Sequence, residues 1–281
     1  MSIYHSLHSA FLFAASRRHA AEFEGRKEEQ RLWIQVNAYR DFIMATGQVY
    51  LFEDYLKGVA PMPSPQVSTA LEAHQDTISQ RVMALLLKTF DETPVPEQKQ
   101  SVSLLISQVN FIADTGQLEA CEDYINNRLG HAPLAIAHFT TREKAEAWLK
   151  GLEEPPSSVL ILIGDEYHQM WHDRKDNTRG MYREYMLEPY VEGLVAEGIP
   201  PNPPSFKTRA EAEAWLENHP TAPFEFVSIA GEHYLAVHHQ RLKRHTLHHV
   251  ASTLTQWEER KRAVEREEAQ NAVVEAEGEN E

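Results

Sequence analysis

Histidine is the residue type with the most chemical reach in this chain, and six crowd one segment: His233, His238, His239, His245, His248 and His249. Imidazole ligates zinc and titrates near neutral pH. On a helix His245 would share a face with His248 and His249, whereas on a strand His238 and His239 must point to opposite faces. A metal centre built from His238, His239, His245 and His249 is one reading, with a metal-dependent enzyme as its function. Against it, the segment lacks the H-E-x-x-H order, and zinc needs three or four convergent ligands held by further hydrogen-bond partners. The competing reading is a set of strand-end and surface histidines without a ligand.

A second pattern recurs. The tripeptide H-x-R occurs as His172-Asp173-Arg174 and again as His239-Gln240-Arg241. As a functional element, His172, Arg174, His239 and Arg241 would line one edge with titratable and cationic tips. As a structural element, Arg174 and Arg241 would pair with Asp165 and Glu232 or with strand-end carbonyls, supporting the hairpin, and exposed ion pairs are common and weak. Glu53, Asp54 and His74 could be drawn into a carboxylate–histidine site, although nothing in their spacing requires it. No phosphate-binding glycine loop, dinucleotide fingerprint or G-x-S-x-G elbow is present. Carboxylates are abundant, but acid–base catalysis needs burial and separated pKa values. No catalytic residue is assigned and no cofactor is implied. Cys121 is the single cysteine, so no intrachain disulfide forms, and its L-x-x-C-x-x-x-I setting is that of a small buried hydrophobe.

The elements that carry the H-x-R tips are themselves duplicated. Residues 139–174 (FTTREKAEAWLKGLEEPPSSVLILIGDEYHQMWHDR) align without a gap on 206–241 (FKTRAEAEAWLENHPTAPFEFVSIAGEHYLAVHHQR), at a constant offset of 206 − 139 = 67. Each copy reads as an aromatic residue, a cap, a helix, a proline loop and a β-hairpin turned at Gly164-Asp165 or Gly231-Glu232. Thr140 with Glu143, or Thr208 with Glu211, has capping-box spacing. Trp148 and Trp215 sit with Leu149 and Leu216 at core spacing, which predicts buried anchors; the alternative is a small-molecule sensor whose pocket between the repeats is lined by Trp148, Trp215, Tyr167 and Tyr234. Residues 134–139 (LAIAHF) read as a first or edge strand, and 181–187 and 246–250 as third strands.

Residues 1–130 show helical periodicity and no convincing strand, which predicts four or five amphipathic helices in a bundle. Residues 61–65 (PMPSP) form a stiff linker. The expected organisation is a helical domain over 1–130, a first α/β repeat over 131–198, and a second over 199–250. A C-terminal helix over about 252–268 follows, projecting and then giving way to an acidic disordered tail within 251–281. The expected fold class is α+β. The opening F-x-T-R-x-x-A-x-A-W-L with its proline loop and H-x-R ending resembles an uncharacterised paralogous family of bacterial proteins over residues 139–241. That resemblance implies no activity and transfers no functional residue.

The net charge of −15 argues against a nucleic-acid surface, which needs clustered Lys and Arg, and permits a basic protein partner. No apolar run is long enough to span a membrane, and residues 10–16 (AFLFAAS) lack the basic flank of a signal peptide. These features predict a cytoplasmic, non-enzymatic interaction or regulatory protein that masks a basic partner, as inhibitors and immunity proteins do.

Overall fold

The computed structural model describes residues 2–58, 65–72, 77–128, 130–219 and 222–278, with side chains to residue 270. Residues 61–64 of the expected linker, His74 and Pro220 lie outside the described residues. The fold is α+β: seven helices, then two four-stranded sheets with their helices, then a long C-terminal helix. By contacts the chain divides into two compact units. One is Met1–Leu129 with Leu152–Val159 and Met170–Gly180, and the other is Gly130–Gly151 with Leu160–Gln169 and Met181–Glu281. The helical unit thus takes two pieces of the first repeat that a boundary at residue 130 assigns elsewhere.

The helices are α1 (Ile3–Phe23), α2 (Lys27–Ala45), α3 (Val49–Gly58), α4 (Thr69–Glu72), α5 (Ile78–Glu92), α6 (Pro96–Asp114) and α7 (Leu118–Asn127). Ser2 and Thr77 cap α1 and α5 by accepting from the backbone N–H three residues on. Pro96 opens α6, where its missing N–H leaves no bond unmade. Leu7, Trp33, Tyr39, Ile43, Phe52, Leu86, Leu105 and Ile112 form one core. Cys121 is buried in it, and burial pushes its thiol pKa up, so it behaves as the inert hydrophobe expected.

This unit contains a duplication of its own. FIMATGQVYLFEDYL at residues 42–56 aligns with FIADTGQLEACEDYI at 111–125. Thr46-Gly47-Gln48 joins α2 to α3, and Thr115-Gly116-Gln117 joins α6 to α7. Both glycines adopt φ near +70°, a conformation that side chains resist. The two turns meet: Gln48 Nε2 donates to Gln117 Oε1 at 2.7 Å, and Gln117 Nε2 donates to Gln48 Oε1 at 2.8 Å.

The longer repeat supplies the remaining elements. The first copy runs β1 (Ala135–Phe139), α8 (Arg142–Gly151), β2 (Ser158–Ile163), β3 (Glu166–Asp173), β4 (Thr178–Arg183) and α9 (Glu188–Glu197). The second runs β5 (Ser205–Phe206), α10 (Arg209–Asn218), β6 (Phe224–Ile229), β7 (Glu232–His239), a 3₁₀ turn at Gln240–Leu242, β8 (Arg244–His249) and α11 (Val250–Gly278). The sheet orders are β1-β2-β3-β4 and β5-β6-β7-β8. β1 is parallel to β2 and β5 to β6, each pair joined by its helix.

Several expectations shift in detail. Each copy is β-α-β-β-β, and the second opens on the short strand Ser205–Phe206. The third strands begin earlier, at Thr178 and Arg244. Thr141, matching Thr208, accepts the helix-capping bond in the first copy, where Thr140 was expected. α11 extends past the predicted end near residue 268, because Ala, Glu and Gln beyond that point are good helix formers. Among the described residues, no helix is long and apolar enough to cross a membrane.

The second sheet buries both faces. Ala212 and Leu216 of α10 cover Val227, Ile229, Ala236 and Leu247. The opposite face offers Phe226, Leu235 and Val237 to a cluster with Leu162, Tyr167, Leu187 and Val191 of the first copy. Alternation along β7 assigns neighbouring residues to opposite layers. Trp148 and Trp215 are half-buried instead of fully enclosed. They lie at the helix edge, packed at a tilt against the opening aromatic of their own copy: Trp148 against Phe139 at 5.2 Å and Trp215 against Phe206 at 5.5 Å between ring centroids.

Candidate functional site

The histidines of the second copy separate by strand geometry. His238 and His245 are cross-strand partners on β7 and β8, and their rings stack at 4.7 Å. His239 points to the opposite face and is buried. His249 opposes Tyr234; its Nε2 lies 2.8 Å from Glu232 and its Nδ1 2.8 Å from the Ser252 hydroxyl. His233 is exposed at the hairpin turn. The four histidines of the metal reading therefore occupy three places. Among the described residues, no group of three His, Cys, Asp or Glu is placed to hold a metal ion.

His239 belongs to a hydrogen-bond chain whose proton order follows from its ends. Tyr167 Oη lies 2.6 Å from the Pro133 carbonyl, which only accepts, so the single tyrosine proton goes there. His239 Nδ1, 3.2 Å from the same oxygen, must then carry a hydrogen and donate. Its Nε2 is left as an acceptor, and the Thr246 hydroxyl donates to it at 2.8 Å. Thr246 has spent its one proton, so His248 Nε2, 2.8 Å away, donates to it. The order is His248 to Thr246 to His239 to Tyr167 to Pro133. Both imidazoles are neutral with assigned tautomers. Burial is the leading cause that lowers their pKa, His239 to about 3 and His248 to about 4. His239 and Thr246 share the face of Leu235 and Val237, so a polar chain crosses the apolar layer with its members paired.

His172, the first-copy counterpart, is also buried. Its Nε2 faces Asn177 Oδ1 at 3.1 Å and its Nδ1 faces the Pro155 carbonyl at 3.3 Å. Tyr50 of α3 donates to the His172 carbonyl at 2.8 Å and accepts from Arg174 N–H at 3.1 Å. The Arg174 guanidinium lies over the Tyr50 ring and donates to both oxygens of Asp54, at 3.0 and 2.7 Å, with Glu53 beside it. Arg174 and then Lys57 hold the Asp54 pKa down to about 2. Arg174 is thus paired with Asp54 and not with Asp165, which takes Arg209 instead. Arg241 is exposed and has not paired with Glu232, which takes His249. The two H-x-R tips share a sequence and a buried histidine but not a partner.

A polar recess of about 150 Å³ in the second unit is lined by Arg183, Glu188, His248, Ser252 and Gln256 among others. Arg183 holds Glu166 at 3.2 Å, Glu188 at 3.3 Å and Gln256 at 2.8 Å. The buried Glu188 also accepts from the Leu187 N–H at 3.1 Å, at the start of α9. Within the recess Arg183 ties Glu166, Glu188 and Gln256 together, and Glu184 and Thr253 also line it. The four residues of the sensor reading are placed apart: each tryptophan packs against the opening aromatic of its own copy, Tyr167 is bonded in the core, and Tyr234 lies against His249.

Sequence reading missed Thr246, which looks like any strand threonine, and missed Tyr50 and Asp54 as partners of a residue over a hundred positions away. It also missed the TGQ duplication, whose signal is present as the shared T-G-Q and E-D-Y triplets. Comparison of the chain with protein-family models, with characterised proteins and with solved structures gave no significant match.

Proposed function

We propose that the protein is a non-enzymatic interaction protein whose acidic surface receives a basic protein partner, in the manner of an inhibitor or immunity protein. The observation that carries this reading is how the chemically capable residues are used. His172, His239 and His248 are consumed in bonds that hold their own turns and sheets, and Arg174 in the pair with Asp54 of α3, while the chain keeps a net charge of −15. Charge of one sign steers association with a partner of the other and suppresses wrong partners. Residues 267–281 hold six glutamates and no Lys or Arg, which concentrates acid at the end of the chain.

The test is capture from native-cell extract with the full chain immobilised, followed by mass spectrometry and a salt elution. The expected result is one basic protein recovered in stoichiometric amount and released as salt rises. Recovery of no stoichiometric partner would overturn the proposal.

A further inference from the structure

The duplicated TGQ turns are the same in sequence and opposite in environment. Gly47 is buried, and a Cβ placed on it would collide with Pro156 and Val159. The helix after it presents Tyr50 and Asp54 to the first-copy tip, where Arg174 docks. Gly116 is exposed, with open space around a Cβ, and Thr115 is exposed where Thr46 is buried. The helix after Gly116 presents Glu119 at the Tyr50 position and Asp123 at the Asp54 position, both exposed. Asp123 bonds within its own helix, to Asn127. The first half of the helical duplication is covered by a tip carrying H-x-R, and the second half carries the same scaffold, more acidic and open.

The second tip of the other duplication is likewise open. Its turn, Gln240-Arg241-Leu242-Lys243, exposes Arg241 and Lys243, and neither forms an ion pair among the described residues. Lys243 holds φ +49°, which fixes the turn in a tight left-handed form. The first-copy counterpart of Arg241 is Arg174, the residue that docks on Asp54.

We propose that the chain associates with a second copy of itself, the Arg241–Lys243 turn of one molecule docking on the Thr115–Asp123 face of the other. The warrant is charge complementarity between an unpaired basic turn and an unpaired acidic face, together with the matching contact already made inside the helical unit. Glu119 replaces Tyr50, so the second face exchanges a hydroxyl that bonds backbone for a carboxylate that bonds a cation. The contact needs Arg241 and Lys243 together, and this inference stands independently of any foreign partner.

Sedimentation velocity of the full chain tests it, over a range of concentrations and at about 0.05 M and about 0.5 M salt. The expected wild-type result is a mass above the monomer that falls back at high salt. Two charge reversals are then compared, Arg241→Glu with Lys243→Glu, and Glu119→Lys with Asp123→Lys. All four positions are exposed, and circular dichroism checks that each protein is folded. Each variant alone should weaken self-association by about tenfold or more. An equimolar mixture of the two should regain it, since each then offers a surface of the opposite sign. A monomeric wild-type protein at low salt overturns the proposal, as does a mixture that stays monomeric or a variant that associates as the wild type does.

Discussion

Thr246→Val removes the centre of the polar chain without changing its shape. Valine and threonine match in volume and branching, so the packing of β8 against Leu235 and Val237 is retained. What is lost is one bond at 2.8 Å to His239 Nε2 and one at 2.8 Å from His248 Nε2, in a site where Thr246 has no solvent exposure. A buried group left without its partner costs about 1–3 kcal/mol. His239 loses its donor with no water to replace it, and His248, half-buried, is partly compensated by solvent. The expected destabilisation is therefore about 2–4 kcal/mol, read as a lower urea midpoint with unchanged slope. Thr246→Ser keeps the hydroxyl and gives up one methyl, so it should cost about 1 kcal/mol. The reasoning is refuted if valine is tolerated within about 0.5 kcal/mol, or if serine is the more damaging of the two.

Other expectations follow from the same geometry. His239 is neutral in the folded protein, with a pKa lowered from 6.5 to about 3, so the unfolded chain binds its proton first. Stability should fall as pH drops below about 6.5 and level off only near 3, by on the order of 3 kcal/mol between neutral pH and pH 4, measured by denaturation at each pH. Asp54 shifts the same way for the opposite charge type: its pKa is depressed by Arg174, so its contribution is full above about pH 4 and lost as pH falls through about 2. Arg174→Gln should cost about 1 kcal/mol, and less at high salt, because the pair is half-exposed; a cost that does not change with salt would contradict an electrostatic origin. Gly47→Ala and Gly116→Ala share a positive φ, which costs an alanine about 1–2 kcal/mol. Only Gly47→Ala also meets Pro156 and Val159, which adds about 1–3 kcal/mol, so the first variant should unfold at a clearly lower temperature than the second.

The longer repeat was legible because its copies share whole runs, such as Ala-Trp-Leu in the helix and Gly at the hairpin turn, and strand alternation then separated His238 from His239. The first strand of the second copy was not legible, since two residues after a proline-rich stretch carry no periodicity. The helical duplication was obscured by apolar positions that any amphipathic helix would share, and only the turn between the helices is distinctive. Tertiary pairing was out of reach: Arg174 has Asp165 nearby in sequence, yet Asp54, 120 positions away, is its partner. The tryptophans kept core spacing but lie at the helix edge, because the leucine beside each fills the interior.

The reading of the histidines as parts of the scaffold is tested most directly by nitrogen-detected NMR of the ring tautomers, with and without zinc. The predicted result is His239 protonated on Nδ1 and His248 on Nε2, both neutral down to about pH 5 and both unmoved by stoichiometric zinc. Displacement of those protons by zinc, or a cationic His239 at neutral pH, would contradict it.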